Sequence, residues 1–319
     1  MTGTIESMGA EIKNQIDDLP SYVDFLSELP PPAQSESGGR GCIFTGAGDS
    51  FAAALATEIL SEYVARSLDP HEASRQLSST EDSHLYLISV SGKTKSNIYA
   101  ARAAKGYSRE ITAITANPDS QLAKYSNNVI ELRFRSEGRL TPGTVSFTTS
   151  LLACYSRIRI LPRLSRLGDV YDEALSWCHE IEIPSRSTTF MVGTGLGYPL
   201  AMYGNAKIYE VLGYKSQCQR TEQFSHMELF SLAKDDLVLI IPMSENDLNA
   251  KTLHSILKEN SFKTASIPPR FQDEIEESIR TSIHLQVLAW RAAQKSGIKE
   301  CAFINRNELL KISDKMIYV

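Results

Sequence analysis

The amino-acid sequence predicts an α/β protein built from two doubly wound parallel sheets in tandem. Short, continuously apolar runs alternate with helical patterns, and strands of this kind are buried on both faces of a parallel sheet. Turns rich in glycine or serine follow several of these runs. Doubly wound sheets bind their ligands at such turns, beyond the carboxyl ends of the strands. The pattern stops near residues 164–187 and then starts again. A chain of 319 residues is long enough for two such domains.

The first half is predicted to begin with an amphipathic helix over residues 1–28 and a loop over 29–41, where proline and glycine are frequent. Four strands then alternate with four helices. The predicted strands are 42–46, 84–91, 110–117 and 128–134, and the predicted helices lie near 49–67, 95–106, 119–125 and 144–163.

The second half repeats this alternation with three strands and three helices. The predicted strands are 188–195, 236–244 and 262–268, and the predicted helices lie near 199–213, 247–260 and 276–297. The sequence thus divides into an N-terminal helix and loop, 1–40, a first α/β domain, 41–168, and a second α/β domain with a C-terminal tail, 169–319.

Composition excludes several classes of protein. A net charge of −5 disfavours a dedicated nucleic-acid binder, which needs a basic face. The five cysteines are widely spaced and form no CxxC pair, which disfavours structural zinc and a disulfide framework. The first residues are acidic, unlike a signal peptide, and no apolar run reaches the length of a membrane span. We expect a cytoplasmic protein with no nucleic-acid or membrane partner.

Nucleotide-binding motifs are incomplete at each candidate turn. The turns TGAGDSF (45–51) and GTGLGY (193–198) carry Phe51 and Tyr198 where a dinucleotide-binding GxGxxG turn needs its third glycine. The GKT at 92–94 lacks the first glycine of a P-loop, because position 87 is leucine. Neither a dinucleotide nor a P-loop nucleotide is therefore expected.

The segment SVSGKT, residues 89–94, lies where a predicted strand meets a helix N-terminus. Ser89, Ser91 and Thr94 supply hydroxyl groups, Gly92 lets the backbone approach a ligand, and the helix dipole favours an anion. This arrangement suits one monoester phosphate. The alternative is an ordinary helix cap and turn, for which serine and threonine are common residues.

These residues, with others downstream, resemble the SIS (sugar isomerase) family. SVSGKT resembles the SxSGxT phosphate loop of that family, and TPGTVSFTTSLL (141–152) resembles the helix start of the isomerase domain of glucosamine-6-phosphate synthase. Residues 192–232 resemble its second-domain signature, with Lys207, Glu210 and His226 at matching positions, and Lys315 matches a lysine near the C-terminus. The resemblance covers about residues 40–319, extends to stand-alone archaeal glucosamine-6-phosphate deaminases, and implies two flavodoxin-like SIS domains.

The resemblance also implies a site for a sugar phosphate. Its binding residues would be Ser89, Ser91, Gly92, Thr94, Gly46, Gly48, Ser50 and Thr144. Relatives often have a phosphate-contacting serine where this chain has Gly48, so the first turn would contribute its backbone or Ser50 instead.

By the same resemblance, Glu210 would move a proton between C1 and C2 of the sugar. His226 would open the sugar ring, reaching in from the neighbouring subunit of a homodimer with a shared active site. Lys207 and Lys315 would stabilise the enediol charge or meet the carbonyl. Such a reaction requires a base, a group that stabilises the oxygen and an anchor for the phosphate. It needs no metal or cofactor.

Several positions depart from the family pattern. Met227 and Glu228 replace a Gly-Pro pair, Lys93 replaces an acidic residue, and YGNAK (203–207) replaces a Glu-Gly-Ala pattern. The second half has MSENDLN after its strand instead of a phosphate loop, so one site per subunit is expected, in the first domain. Threonine at position 2, instead of a catalytic cysteine, predicts no glutaminase activity.

The sequence therefore predicts a sugar-phosphate isomerase acting on a hexose or amino-hexose 6-phosphate, with deamination of glucosamine 6-phosphate as one form of the reaction. Two alternatives stay open. One is a phosphoglucose/phosphomannose isomerase, and the other is a non-catalytic regulator that binds a sugar phosphate.

Overall fold

A computed structural model describes residues 3–30, 41–76 and 80–318 of the chain. Within these residues the helices and strands follow one another as α1 (Thr4–Glu28), β1 (Cys42–Gly46), α2 (Asp49–Leu60), β2 (Arg66–Leu68), α3 (Pro70–Arg75), β3 (His84–Ile88), α4 (Lys95–Ala104), β4 (Glu110–Thr115), α5 (Gln121–Lys124), β5 (Asn128–Glu131), α6 (Val145–Tyr155), α7 (Leu167–Trp177), β6 (Thr189–Gly193), α8 (Gly197–Lys207), β7 (Ser216–Arg220), α9 (Thr221–His226), β8 (Leu237–Ile241), α10 (Leu248–Glu259), β9 (Lys263–Ser266), α11 (Glu274–Lys295), α12 (Ala302–Asn305) and α13 (Asn307–Ile317).

Two compact units are interleaved along the sequence, and each contains one sheet. The first-sheet unit consists of Asp17–Arg135, Val145–Arg163 and Glu308–Val319. The second-sheet unit consists of Met1–Ile16, Ser136–Thr144 and Leu164–Asn307. The domain boundaries expected at residues 40 and 168 stay a prediction.

The first sheet has five parallel strands in the order β2-β1-β3-β4-β5. This is the order of flavodoxin-like sheets, in which the connections leave β1 and β3 in opposite directions. One face packs against α3, α4 and α5 through a cluster that includes Ile43, Leu85 and Ile98. Helices α2 and α6, which pack against each other, contact β1 and β4 respectively.

The second sheet has four parallel strands in the order β7-β6-β8-β9. One face packs on α9 and α10 through a cluster that includes Phe190, Val238, Phe224 and Leu253. Helix α8 packs against β6, and α11 packs against α7 and α8. The prediction of two doubly wound parallel sheets is therefore confirmed.

Several predicted helices end earlier than the sequence suggested. The helix expected to reach residue 67 ends at Leu60, because Glu62 and Tyr63 adopt left-handed backbone conformations with φ of 53° and 64°. The chain then forms the short strand β2. The helix expected over 144–163 ends at Tyr155, where hydrogen bonds from Arg157 to Cys154 and from Ile158 to Tyr155 tighten the chain into a turn.

Some elements were not predicted, and for the edge strand β7 the reason is that it carries no apolar run. Strand β7 has the sequence SQCQR and lies at the edge of its sheet. Helix α7 occupies the connection expected at 164–187, and α13 occupies what was described as a C-terminal tail. The loop expected at 29–41 lies largely outside the described residues. Among the described helices, none is long and apolar enough to cross a membrane.

Candidate functional site

The turns after β1 and β3 lie at the switch point of the first sheet, where ligands bind in folds of this type. Gly46 ends β1, and a Cβ atom at this position would lie 2.6 Å from Cβ of Ser50 in the first turn of α2. Gly48 has a φ of 58°, and a Cβ there would meet no atom within 4 Å. The turn therefore brings the start of α2 against the strand and leaves the backbone at Gly48 open.

Hydroxyl groups converge in the turn between β3 and α4. The Oγ atom of Ser89 and the Oγ1 atom of Thr94 lie 2.9 Å apart, and Ser89 is buried. Thr94 occupies the N-cap position of α4, yet its side chain makes no capping hydrogen bond. The Ser91 hydroxyl accepts a hydrogen bond from the backbone N–H of Lys93 at 3.2 Å. An ordinary cap would direct the threonine hydroxyl to the helix backbone, so the capping alternative does not describe Thr94.

Gly92 is fixed by its surroundings. Its φ is 65°, and a Cβ atom at this position would lie 2.2 Å from Oγ of Ser120. The Gly92 carbonyl accepts a hydrogen bond from the N–H of Leu122, and the Ser120 hydroxyl caps α5. Asn97 joins the strand end to α4, because its amide donates to the carbonyl of Ile88 at 2.7 Å. The loop is therefore held in place from several sides.

Helix α13 returns the chain to this loop. Tyr318 forms a short antiparallel bridge with Thr94, and the Lys95 ammonium donates to the backbone carbonyl of Lys315 at 2.7 Å. The side chain of Lys315 is exposed. The first-sheet unit thus places the predicted phosphate-binding residues beside the segment that carries the predicted C-terminal lysine.

Lys207 and Glu210 form an ion pair in the second-sheet unit. The Lys207 side chain is 0% exposed and that of Glu210 is 38% exposed. Helix α8 ends at Lys207, and a π-helical turn, Ile208–Leu212, carries Glu210. Turns of this kind are rare and occur frequently at functional sites. A buried ammonium beside an accessible carboxylate can supply a cation and a base to one substrate.

The Cys301 thiol is close enough to influence this pair electrostatically. Burial raises the pKa of Cys301 to about 11, so the thiol is neutral at physiological pH. It adds no charge beside Lys207 and Glu210.

Thr144 is held within the second-sheet unit by two side chains. Its hydroxyl donates to Oε2 of Glu11 at 3.2 Å, and its carbonyl accepts from Nε2 of Gln286 at 3.3 Å. Glu11 is itself buried and accepts a further hydrogen bond from Thr141 at 2.7 Å. The segment that ends at Thr144 therefore has a defined position, and its predicted role in phosphate binding stays a prediction.

His226 forms its hydrogen bond with Glu222, which is not part of the Lys207–Glu210 ion pair. It ends α9, its side chain is 70% exposed, and its Nε2 atom lies 3.1 Å from Oε1 of Glu222. Met227 and Phe230, which follow it, also expose their apolar side chains. The structure brings together Lys207 and Glu210, but it places His226 on an exposed surface.

Sequence reasoning missed two residues that contact the predicted ones. Glu11 holds Thr144, and Tyr203 lies beneath the ammonium of Lys207. Tyr203 precedes Lys207 by four residues, a spacing that places two side chains on the same face of a helix. Glu11 lies far away in the sequence and carried no such signal. In the described part of the chain, no group of three or more His, Cys, Asp and Glu residues is placed to hold a metal ion.

Comparison with known proteins identifies one family. The family model of the SIS domain matches residues 40–158 and 182–288. The glutamine–fructose-6-phosphate aminotransferase (isomerizing) of Sulfolobus acidocaldarius is 25% identical over 93% of this chain and 54% of its own length. The corresponding protein of Sulfurisphaera tokodaii is 23% identical over 90% of this chain and 52% of its own length. The chain thus spans about half the length of these curated relatives.

Solved structures share the fold. A glucosamine-6-phosphate deaminase from Thermotoga maritima superposes with a TM-score of 0.76 at 20% identity, covering 92% of this chain and 96% of that one. A tagatose-6-phosphate ketose/aldose isomerase from Escherichia coli superposes with a TM-score of 0.69 at 16% identity, covering 92% and 93% of the two chains.

Proposed function

Because the chain belongs to the SIS domain family, we propose that it is a sugar-phosphate isomerase. The family resemblance found in the sequence is confirmed by the match. The proposed substrate is a hexose or amino-hexose 6-phosphate, whose phosphate binds at the turn of Ser89, Gly92 and Thr94. The paired hydroxyl groups there and the N-terminus of α4 support an anion site.

One observation carries the catalytic part of the proposal, the ion pair of Lys207 and Glu210. Burying a lysine side chain completely is unfavourable unless its charge is paired, and here the paired carboxylate stays partly exposed to a substrate. The partly exposed carboxylate can accept a proton from the substrate. The ammonium can stabilise the negative charge that develops on the neighbouring oxygen.

In the proposed reaction, the Glu210 carboxylate removes the proton from the carbon next to the carbonyl while the carbonyl oxygen takes up a proton, which gives an enediol. The same carboxylate, now protonated, returns its proton to the former carbonyl carbon, and the hydroxyl on the neighbouring carbon gives up its proton, which moves the carbonyl between C1 and C2. Lys207 and Lys315 stabilise the oxygen charge. His226 assists opening of the sugar ring, and the distant phosphate supplies binding energy away from the reacting carbons.

The amino sugar is the more specific form of the proposal. Curated relatives are named for an isomerizing aminotransferase of fructose 6-phosphate, and a structural neighbour is named as a glucosamine-6-phosphate deaminase. Deamination would isomerise glucosamine 6-phosphate to an imine of fructose 6-phosphate, and water would then release ammonia. This outcome requires no residues beyond those of isomerisation.

The test incubates the wild-type chain and Glu210→Gln with fructose 6-phosphate, glucose 6-phosphate, mannose 6-phosphate and glucosamine 6-phosphate. We expect wild type to convert one of them and Glu210→Gln to lose about 100- to 10,000-fold in kcat, the usual contribution of a general base. Ammonia release would identify deamination. Glu259→Gln, which changes an exposed glutamate at the end of α10, is the matched control and should keep full activity.

Binding is measured beside turnover by titration calorimetry. Tight binding of a sugar phosphate with no turnover of any of the four would contradict the enzyme and favour a regulator. Equal activity of wild type and Glu210→Gln would remove Glu210 from the mechanism.

A further inference from the structure

Tyr203 connects two parts of the second-sheet unit. Its side chain is completely buried on α8, four residues before Lys207. The Lys207 ammonium nitrogen lies 5.0 Å from the centre of the Tyr203 ring. At the other end of the ring, the Tyr203 hydroxyl donates to the backbone carbonyl of Gly143 at 2.7 Å. The tyrosine thus contacts a predicted catalytic residue and the residue that precedes Thr144.

The ring stabilises the ammonium of Lys207. The face of an aromatic ring attracts a cation within about 6 Å, and the attraction is larger where water is excluded. Lys207 is fully buried, and both the Glu210 carboxylate and this ring stabilise its charge. The ring also limits where the long lysine side chain can place its nitrogen atom.

The hydroxyl of Tyr203 fixes the backbone on which Thr144 depends. Gly143 accepts from Tyr203, while the hydroxyl and the carbonyl of Thr144 bind Glu11 and Gln286. Without the tyrosine hydroxyl, one backbone carbonyl of this short segment loses its partner. The position of Thr144 would then be less sharply defined.

We propose that Tyr203 is a positioning residue for the reaction, setting both the ammonium of Lys207 and the backbone that carries Thr144. This inference rests on the proposed function. The ring affects kcat through the ammonium of Lys207, and the hydroxyl affects KM through the backbone at Thr144.

Two substitutions separate these effects. Tyr203→Phe keeps the ring and removes the hydrogen bond to Gly143, so we expect KM to rise about 3- to 10-fold, the value of one hydrogen bond, with kcat within about twofold of wild type. Tyr203→Leu also removes the ring, so we expect its kcat to be about 3- to 30-fold lower than that of Tyr203→Phe. The substrate is whichever of the four sugar phosphates the wild type converts fastest.

Tyr22→Phe is the matched control. Tyr22 is also buried, and its hydroxyl donates to a backbone carbonyl, that of Glu131, in the first-sheet unit. It should leave KM and kcat within about twofold of wild type, although it loses a hydrogen bond of the same kind. Thermal unfolding of every variant separates loss of folded protein, which lowers kcat alone, from a change in KM.

The outcomes distinguish the two proposals. If wild type converts a sugar phosphate but Tyr203→Phe keeps the wild-type KM and the wild-type dissociation constant in calorimetry, Tyr203 does not position Thr144 and this inference is overturned while the proposed function stands. The same holds if Tyr203→Leu keeps the kcat of Tyr203→Phe. If wild type neither binds nor converts any of the four, the proposed function fails and this inference fails with it.

Discussion

At the scale of single residues, Gly92 is the position where the phosphate-binding turn is most sensitive to change. Its left-handed φ of 65° disfavours any side chain, and a Cβ atom would collide with Ser120, which caps α5. We expect Gly92→Ala to lower the free energy of unfolding by about 2–4 kcal/mol, from backbone strain and overpacking together. Urea denaturation measures this loss, and calorimetry should show weaker binding of the sugar phosphate.

Gly106→Ala supplies the comparison for that prediction. Gly106 also has a positive φ, 92°, but a Cβ atom there would meet nothing within 4 Å. This variant carries backbone strain alone, so we expect a loss of about 1 kcal/mol and unchanged sugar-phosphate binding. Equal losses of stability in the two variants would mean that Ser120 moves aside, and that the turn is not packed as described.

At the scale of helices and strands, a charged cluster joins α7 to α11 in the second-sheet unit. Arg280 is 1% exposed and pairs with both Glu173 and Glu277. Burial acts to raise the pKa of Glu173, but the nearby His284 ring, 3.6 Å away, and hydrogen bonds from Arg280 and Arg270 outweigh it and hold that pKa well below its usual range. The folded state therefore binds the Glu173 proton more weakly than the unfolded state does.

A carboxylate with a lowered pKa stabilises the folded state above its unfolded pKa of about 4.3, and this contribution is lost as the pH falls further. We expect the free energy of unfolding to fall below about pH 5, and to fall less steeply in Glu173→Gln. At pH 7 that variant should lose about 1.5–3 kcal/mol, the value of hydrogen bonds to a charged group.

Asp169→Asn is the control on the same helix. Asp169 pairs with Arg166, and both side chains are at least half exposed. An exposed pair contributes little, so we expect a change below about 1 kcal/mol at pH 7 and the wild-type response to acid. Urea denaturation between pH 7 and pH 3 compares the three proteins, and identical acid responses in all of them would contradict a role for Glu173.

Local sequence patterns predict the buried strands of both sheets but not the contacts between distant segments. Strands such as β1 and β8 are buried on both faces, so their continuous apolar runs identified them. Strand β7 is a polar edge strand and gave no such signal. In the site, the family resemblance selected Lys207 and Glu210 by position, and the structure shows that their side chains form an ion pair. The contact of Glu11 with Thr144 depends on packing between distant segments, which no local pattern records.

At the scale of the whole molecule, the family resemblance predicts a homodimer in which His226 serves the neighbouring subunit. The exposed side chains of His226, Met227 and Phe230 fit this expectation, because apolar groups on a surface of this kind commonly contact a partner. His226→Ala and Glu210→Gln should each be nearly inactive alone. If the site is shared, a mixed dimer of the two variants contains one site with both intact residues.

Co-expression of the two variants with different affinity tags, followed by purification through both tags, isolates the mixed dimer. Since each mixed dimer has one intact site of two, we expect about half the wild-type kcat per dimer, or about a quarter in an unselected equal mixture. The double variant His226→Ala/Glu210→Gln paired with Glu210→Gln should be inactive, because neither chain then supplies the base. An inactive mixed dimer of the two single variants would place His226 and Glu210 of one chain in the same site.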